Sequence, residues 1–548
     1  MADAMDSLAA QDIRSAGAAR LDPNACYAAL KAKDERFDGR LFVGVTSTGV
    51  YCRPVCPASA PKREHCRFFQ SAAAAQESGF RPCLRCRPET APAGGAWRGA
   101  SSTVSRGLSL IADGALDGET ASVESLAEQL GVGARQVRRL FQQHLGASPI
   151  AVAQTRRVLF AKQLLHDTRL PMIDVAMAAG FRSVRRFNET FQNLFRRPPS
   201  ALRRKALRDP RESPRWRTAV ETGVTVRLRY RAPYDWDAIL AHLAARAIDG
   251  VESVEGGIYQ RTLEYEGLVG WLSVAHVPQA SSLSVTMHVP DVRALRAIVA
   301  RVRRAFDLDA DVGAIGEYLS RDPALAPLVR ARPGLRVPGG WDGFELAVRA
   351  VLGQQVTIAA ARRLADQLVR SCGVQAKEHP TLSRVFPTAA EVVRADLSAL
   401  GMPRARRLAL TELARAALLD RELFHAASSV EATVARLKGV RGIGDWTAHY
   451  IALRAAREPD AFPASDVGLL RGAQDDQGLR PTPKELLGRA ERWRPWRAYA
   501  AQHLWARGTA RDAAHHGARE AVGDAHCELR DAKKRRGTRR AHDGRKTP

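Results

Sequence analysis

Acidic residues are scarce in this chain. Its 548 residues hold 58 Asp and Glu against 84 Lys and Arg, for a net charge of +26. That balance favours a polyanionic partner, most simply nucleic acid. A basic C-terminal tail contributes to the excess, but arginines run through the whole chain. Long apolar runs are missing too. No segment approaches the length of a membrane span. The N-terminus, MADAMDSLAAQDIRSAG, lacks the basic start and apolar stretch of a signal peptide. The expectation is a cytoplasmic protein with no membrane partner. Cysteine is rare except in one place: five of the eight lie between Tyr51 and Cys86. In a reducing compartment such clustering implies metal or reactivity rather than disulfides.

What is present divides the chain. An apolar content of 45% can supply several cores, and the length predicts about three to four domains. Residues 1–20 read as disordered, and a cysteine-rich unit spans 21–90. A Pro/Ala/Gly/Ser linker at 91–104 leads to continuous helical periodicity over 105–204. A second linker covers 205–220. In VTVRLRYR, Val224, Val226, Leu228 and Tyr230 alternate with polar residues. LSVTMHV repeats this with Leu283, Val285, Met287 and Val289, so both are predicted strands. With the helical runs WDAILAHLAARAI and VRALRAIVARVRRAF they make 221–333 an α+β unit. Helical pattern returns over 334–510. The basic tail, 511–548, reads as disordered.

Cys52-x3-Cys56, then 26 residues, then Cys83-x2-Cys86 is a strong zinc pattern, because two short pairs can wrap a tetrahedral ion. His65 and Cys66 fall outside the paired spacing. Cys26, Cys372 and Cys527 read as ordinary core or tail thiols. Cysteine pairs of this kind most often hold a purely structural ion. The surrounding text, FDGRLFVGVTSTGVYCRPVCPA followed by GFRPCLRC, resembles the N-terminal domain of the Ada methylphosphotriester repair proteins. That resemblance covers about residues 21–88. It implies that Cys52 is both ligand and nucleophile, taking a methyl group irreversibly from an alkylated DNA phosphate. Zinc keeps such sulfurs deprotonated at neutral pH. Four thiolates on a divalent cation leave the site doubly negative, and methylation removes one charge, so repair can raise DNA affinity. Arg53, Lys62, Arg63, Arg67 and Arg81 are available to hold the DNA backbone; the plain alternative is a solvated basic face.

The 105–204 block holds one design twice. In SVESLAEQLGVGARQVRRLFQQHLG, Val123, Leu126, Ala127, Leu130, Val137, Leu140 and Phe141 fall at helical intervals. Ser122 is placed to cap the first helix, and Gly131 and Gly133 bracket a turn. LPMIDVAMAAGFRSVRRFNETFQNLFRRPPS repeats it with Ile173, Val175, Ala176, a turn at Gly180, then Val184, Phe187 and Phe191. A longer helix over about 149–165 joins the two. This is similar to AraC-type DNA-binding domains, which implies that each second helix enters a major groove. The outward residues are then Arg135, Gln136, Arg138, Arg139 and Gln142, and Arg182, Ser183, Arg185, Arg186 and Asn188. Arg and Gln can read base edges, or meet phosphates only.

In LKGVRGIGDWTAHYIALRA (437–455), Gly442 and Gly444 open a turn into a helix whose N-terminus can offer N–H groups to a phosphate. Ile443 is expected to tuck inward. With FPASDVG downstream, this resembles the helix-hairpin-helix of DNA glycosylases. With YDWDAILAHLAARA, ARPGLRVPGGWDGFELAVRAVLGQQVT and ERWRPWRAYAAQHLW, residues 221–508 resemble the AlkA 3-methyladenine glycosylases. The resemblance assigns Asp466 to stabilising the oxocarbenium-like transition state. It assigns Trp446, Tyr450 and Trp505 to an aromatic pocket that attracts a cationic flipped base. Gly442, Gly444 and Thr447 would meet DNA. Two departures stand out: Arg441 replaces the usual hairpin proline, and Gln355 stands where the pattern has a leucine wedge. Glycosylases that also cut the strand carry a hairpin lysine; here that position holds Trp446, so a monofunctional enzyme is expected.

The fold class expected is therefore multidomain: a small zinc-bound α+β domain, an all-α double helix-turn-helix domain, an α+β AlkA N-terminal-like domain and an all-α helix-hairpin-helix glycosylase domain. Double-stranded DNA is the expected partner, with RNA polymerase as a further one through the regulatory block, and the bacterial nucleoid as the site of action of a monomer. The PCHR signature of full Ada proteins is absent, so no O6-methylguanine repair is expected. The competing reading is an Ada-like transcriptional regulator whose glycosylase region is inactive or only binds DNA.

Overall fold

The computed structural model describes residues 21–92, 102–117, 121–206, 223–376, 379–475 and 477–511. The expected disordered ends (1–20 and 512–548), most of both linkers and Cys527 lie outside the described residues.

The cysteine-rich unit starts with α1 (Pro23–Lys31), capped by the Asp22 carboxylate. A small sheet follows, made of β1 (Phe42–Val45), β2 (Val50–Cys52), β3 (Cys66–Phe69) and β4 (Arg81–Pro82), with α2 (Ala72–Glu77) beside it. The strand order is β3-β1-β2-β4, with β4 parallel to β2. Cys52 therefore ends a central strand, opposite Val43. The parallel β2–β4 pairing brings the two distant cysteine pairs to one end of the sheet.

The helical block comprises α3 (Ser102–Asp113), α4 (Val123–Leu130), α5 (Ala134–Leu145), α6 (Pro149–Asp167), α7 (Met172–Ala178), α8 (Val184–Phe195) and α9 (Pro199–Ala206). Ser122 caps α4 through the Ser125 N–H at 3.0 Å, and Gly131 ends it at φ 67°. Ser183 caps α8 in the same manner through Arg186. Val137, Phe141, Phe187 and Phe191 are buried as expected. Ile173 is not: it is 54% exposed, because the inward face of α7 is formed by Val175, Ala176 and Ala178.

The α+β unit is an antiparallel sheet in the order β5-β9-β8-β7-β6, built from β5 (Val224–Arg229), β6 (Glu252–Glu255), β7 (Ile258–Tyr265), β8 (Leu268–Val277) and β9 (Ser282–His288). Helices α10 (Trp236–Ala244) and α11 (Leu295–Ala305) accompany it. Strands β5 and β9 carry the predicted alternation. The three others were not legible from alternation. In β7 the buried positions include Arg261 and Thr262, which read as polar in the sequence but are satisfied inside by Glu345 and a backbone carbonyl.

The last block contains α12 (Val312–Leu319), α13 (Ala326–Ala331), α14 (Gly343–Leu352), α15 (Ile358–Cys372), α16 (Ala389–Arg394), α17 (Arg404–Leu419), α18 (Val430–Lys438), α19 (Asp445–Arg454), α20 (Val467–Gly472), α21 (Pro483–Ala490) and α22 (497–511). A single apolar core joins these helices, from Ile315 and Val348 to Ile451 and Leu504.

The cores do not follow the units of the sequence. Ala73 and Ala74 of α2 join the core of the first helix-turn-helix. The second helix-turn-helix shares one core with the five-stranded sheet, so that Leu164, Phe187 and Phe191 belong with Val226, Val285 and Ile298. The polar seams are specific as well. Lys162 on α6 is fully buried and donates to the Glu89 carboxylate at 2.5 Å and the Cys83 carbonyl at 3.1 Å. Burial pushes the Glu89 carboxyl up, but Lys162 and Arg87 outweigh it and hold it below its usual range. Gln163 donates to the Arg227 carbonyl on edge strand β5, and Arg296 on α11 pairs with Asp117. Glu89 thus fastens one unit to the next.

Candidate functional site

The sulfurs of Cys52, Cys56, Cys83 and Cys86 all lie within 4.8 Å of one another and are buried. Four converging thiols and no carboxylate or imidazole suit a tetrahedral zinc ion. Cys66 stays outside, its thiol directed at the Lys62 carbonyl at 3.4 Å, and His65 faces Glu64. Cys26 is a core thiol and Cys372 is half-buried.

The four sulfurs are not equivalent. Cys86 receives the Arg53 N–H and Cys83 the Arg85 N–H, each at 3.4 Å. Among the described residues no backbone N–H is directed at Cys52. A hydrogen bond draws electron density from a thiolate, so Cys52 keeps more than Cys83 or Cys86. Hydrogen bonding from Cys52 pulls the Cys83 thiol down, while its neighbours push the Cys52 thiol up.

Arg53, one of the basic residues available to hold the DNA backbone, faces neither DNA nor solvent. It is 4% exposed, pairs with Asp38 and donates to the Cys86 carbonyl and Thr90. Its guanidinium organises the cysteine loop from inside, since a buried charge requires such partners. Lys62 and Arg67 are exposed, and Arg63 and Arg81 half-buried.

On the two second helices, Arg135, Arg138, Arg139 and Gln142, and Arg182, Ser183, Arg185, Arg186 and Asn188, are exposed; Gln136 is half-buried. Arg138 pairs with Glu124 at 2.7 Å and Arg185 with Glu189 at 2.8 Å.

In the last block, Asp466 caps α20, accepting the Leu469 N–H at 3.0 Å. The indole N–H of Trp446 donates to Oδ2 and that of Trp505 to Oδ1, each at 2.8 Å. Both oxygens are therefore held, which fixes the carboxylate as an oriented acceptor. Gly468 permits this, because a Cβ there would lie 3.0 Å from Asp466 Oδ1 and 3.1 Å from the Trp505 ring. Tyr450 stacks on Trp446 at 5.3 Å and meets Trp505 edge-on at 6.4 Å. Arg454, 3% exposed, lies against Tyr450 and Trp505 at 5.2 and 5.0 Å, anchored to the Pro338 carbonyl. Burial raises the Tyr450 phenol, but Arg454 and Arg246 outweigh it and leave it below its usual value.

The hairpin turn lies between α18 and α19. Gly442 has φ 91°, and a Cβ there would sit 2.3 Å from that of Ala409 on α17. Ile443 is buried, and Gly444 starts α19 from open space. Thr447 is 3% exposed, its hydroxyl accepting from Gln354. Gln355 is exposed on the α14–α15 loop at φ 56°. The sequence reading missed Gln354, Arg454, Lys162 and Glu89. Only Gln354 carried a local hint, as the neighbour of Gln355.

Comparison with known proteins agrees block by block. Family models match the metal binding domain of Ada at 25–89, a helix-turn-helix domain at 126–205, the AlkA N-terminal domain at 225–342 and the HhH-GPD superfamily of base excision DNA repair proteins at 348–498. A Mycobacterium tuberculosis protein named as a probable bifunctional transcriptional activator/DNA repair enzyme AlkA is 42% identical over 88% of this chain and 95% of its own length. The Escherichia coli DNA-3-methyladenine glycosylase 2 is 37% identical over 51% of this chain and 95% of its own. The Escherichia coli bifunctional transcriptional activator/DNA repair enzyme Ada is 35% identical over 23% of this chain and 34% of its own. The four matched domains and the near full-length relative place this chain in the family of bifunctional Ada/AlkA transcriptional activator and DNA repair proteins, with a zinc-binding Ada domain at its head.

Proposed function

We propose that the chain is a monofunctional DNA glycosylase that excises N-alkylated, 3-methyladenine-type bases and leaves abasic sites. The observation that carries this reading is Asp466, gripped on both oxygens by Trp446 and Trp505 beside the glycine hairpin. A carboxylate fixed in this way meets positive charge developing on the sugar without reorganising. An alkylated purine is already cationic and leaves without a general acid, so the site needs no second carboxylate. The stacked Trp446 and Tyr450 faces attract that cation. Gln355, exposed and next to the hairpin, fills the space left by the flipped base. The absence of a lysine at Trp446 argues for simple hydrolysis.

Cys52 is the stoichiometric methyl acceptor in this proposal. Zinc, held by Cys52, Cys56, Cys83 and Cys86, supplies charge that keeps the sulfurs as thiolates. The Cys52 sulfur attacks the methyl carbon of a phosphotriester; an S–C bond forms, the C–O bond breaks, and the phosphodiester leaves as an anion. Among the described residues no backbone N–H reaches Cys52, which favours it over Cys83 and Cys86. The two helix-turn-helix units then bind promoter DNA through Arg135, Gln136, Arg139, Arg182, Arg185 and Arg186, and bring in RNA polymerase at the nucleoid.

An abasic-site assay on N-methylated duplex tests the first part: the parent chain releases abasic sites and Asp466→Asn does not. Mass spectrometry after incubation with methylphosphotriester DNA tests the second: one added methyl appears on Cys52. A regulator with an inert glycosylase region would show the second result without the first.

A further inference from the structure

The loop that carries Gln355 and the hairpin turn belong to segments almost ninety residues apart, yet one side chain joins them. Gln354 Nε2 donates to the Gly442 carbonyl and to Thr447 Oγ1, both at 3.1 Å. A carboxamide has two N–H donors, and both are used. The Gln354 main-chain carbonyl accepts from Arg406 on α17 at 2.5 Å. The same helix backs the turn through Ala409, which leaves no room for a Cβ at Gly442. Hence α17, the hairpin and the α14–α15 loop meet at Gln354. Its neighbour Gln355 is a non-glycine residue at φ 56°, a backbone state that persists only where the surroundings impose it. Gln355, Val356 and Ile358 are exposed just beyond this junction.

We propose that Gln354 is a positioning residue for base excision: its amide locks the Gln355 loop to the phosphate-facing hairpin, so that gripping the backbone sets the wedge at a fixed distance from the target nucleotide. This inference rests on the glycosylase reading. It also gives Thr447 a role other than direct DNA contact, as the inner acceptor of the lock. Gln354 touches neither the base nor the sugar in this scheme; it acts through Gln355. Misplacement by about 1 Å can cost as much as 10²-fold in rate, so the lock has kinetic weight without large binding weight.

The test uses the full chain and a duplex carrying one N-methylated purine beside 2-aminopurine, which fluoresces when unstacked. Gln354→Ala is expected to slow single-turnover excision at least about tenfold and to suppress the fluorescence rise, with affinity for undamaged duplex kept within about threefold. Thr447→Val, which removes one acceptor and keeps the shape, is expected to reproduce part of the loss. The double variant is expected to be no slower than Gln354→Ala, because the two groups form one contact. Equal excision by Gln354→Ala and the parent, strictly additive losses, or a loss confined to duplex affinity each overturns the proposal. If Gln354→Ala does not fold, Gln354→Glu replaces it, keeping the length while withdrawing both N–H donors. A parent chain that releases no abasic site overturns the glycosylase reading itself; a parent that excises alongside an unimpaired Gln354 variant overturns this inference alone.

Discussion

The two reactive anions of the molecule are treated in opposite ways. Two cysteines of the zinc cluster, Cys83 and Cys86, receive backbone N–H groups, while Cys52 receives none among the described residues. The Asp466 carboxylate receives three donors, two of them indoles. The difference follows from what each must do. A nucleophile has to give up an electron pair, and every hydrogen bond to it makes that harder. A carboxylate that only faces developing charge has to stay put, and hydrogen bonds hold it there. Under the proposed function, one site is consumed in a single event and the other is restored for each turnover.

The largest effects should separate the two sites completely. Asp466→Asn should lower excision by about 10²–10³-fold or more, the scale for losing a preorganised electrostatic group, with methyl uptake by Cys52 unchanged. Cys52→Ser should abolish methyl uptake in mass spectrometry and leave excision intact. Crossed effects would show that the two sites are one functional unit. Zinc removal by a chelator should also end methyl uptake, since four buried thiols without their ion cannot hold the loops around Cys52 and Cys86.

A smaller effect sharpens the comparison. Trp446→Phe and Trp505→Phe each remove one donor and keep most of the ring. Each should lower kcat by about 10- to 100-fold, because a hydrogen bond to a charged group contributes roughly 1.5–3 kcal/mol. If stacking alone mattered, KM would rise and kcat would stay.

The smallest effect concerns the seam between the zinc unit and α6. Burial first, then Arg87 and Lys162, push His166 down to about 4, and its Nε2 is buried with no partner among the described residues. A histidine whose folded value is depressed adds stability above its unfolded value, about 6.5, and that stability is lost as pH falls toward about 4. Melting temperature should therefore decline over that window, and His166→Gln should flatten the decline slightly.

Legibility varied with the distance between interacting residues. The cysteine set was readable from spacing, because each pair is local and the ion supplies the rest. The caps at Ser122 and Ser183 and the turn at Gly131 were readable for the same reason. Ile173 was misread as inward because a short helix leaves its apolar phase ambiguous by one position. The burial of Arg53 was not legible, because nothing near it announces Asp38 as a buried partner. Strand β7 escaped because Arg261 and Thr262 are buried polar residues whose partners come from elsewhere in the chain.

The sequence by itself determined the four-thiol ligand set, the repeated helix-turn-helix, the glycine hairpin and the acid that follows it. These depend on residues a few positions apart, where backbone geometry turns spacing into contact. Only the tertiary structure decided that the second helix-turn-helix and the five-stranded sheet share a core, that Trp446 and Trp505 grip Asp466, and that Gln354 joins the Gln355 loop to the hairpin. Those contacts join distant segments, and which segments meet is settled by the packing of whole helices and sheets, not by the order of neighbouring residues.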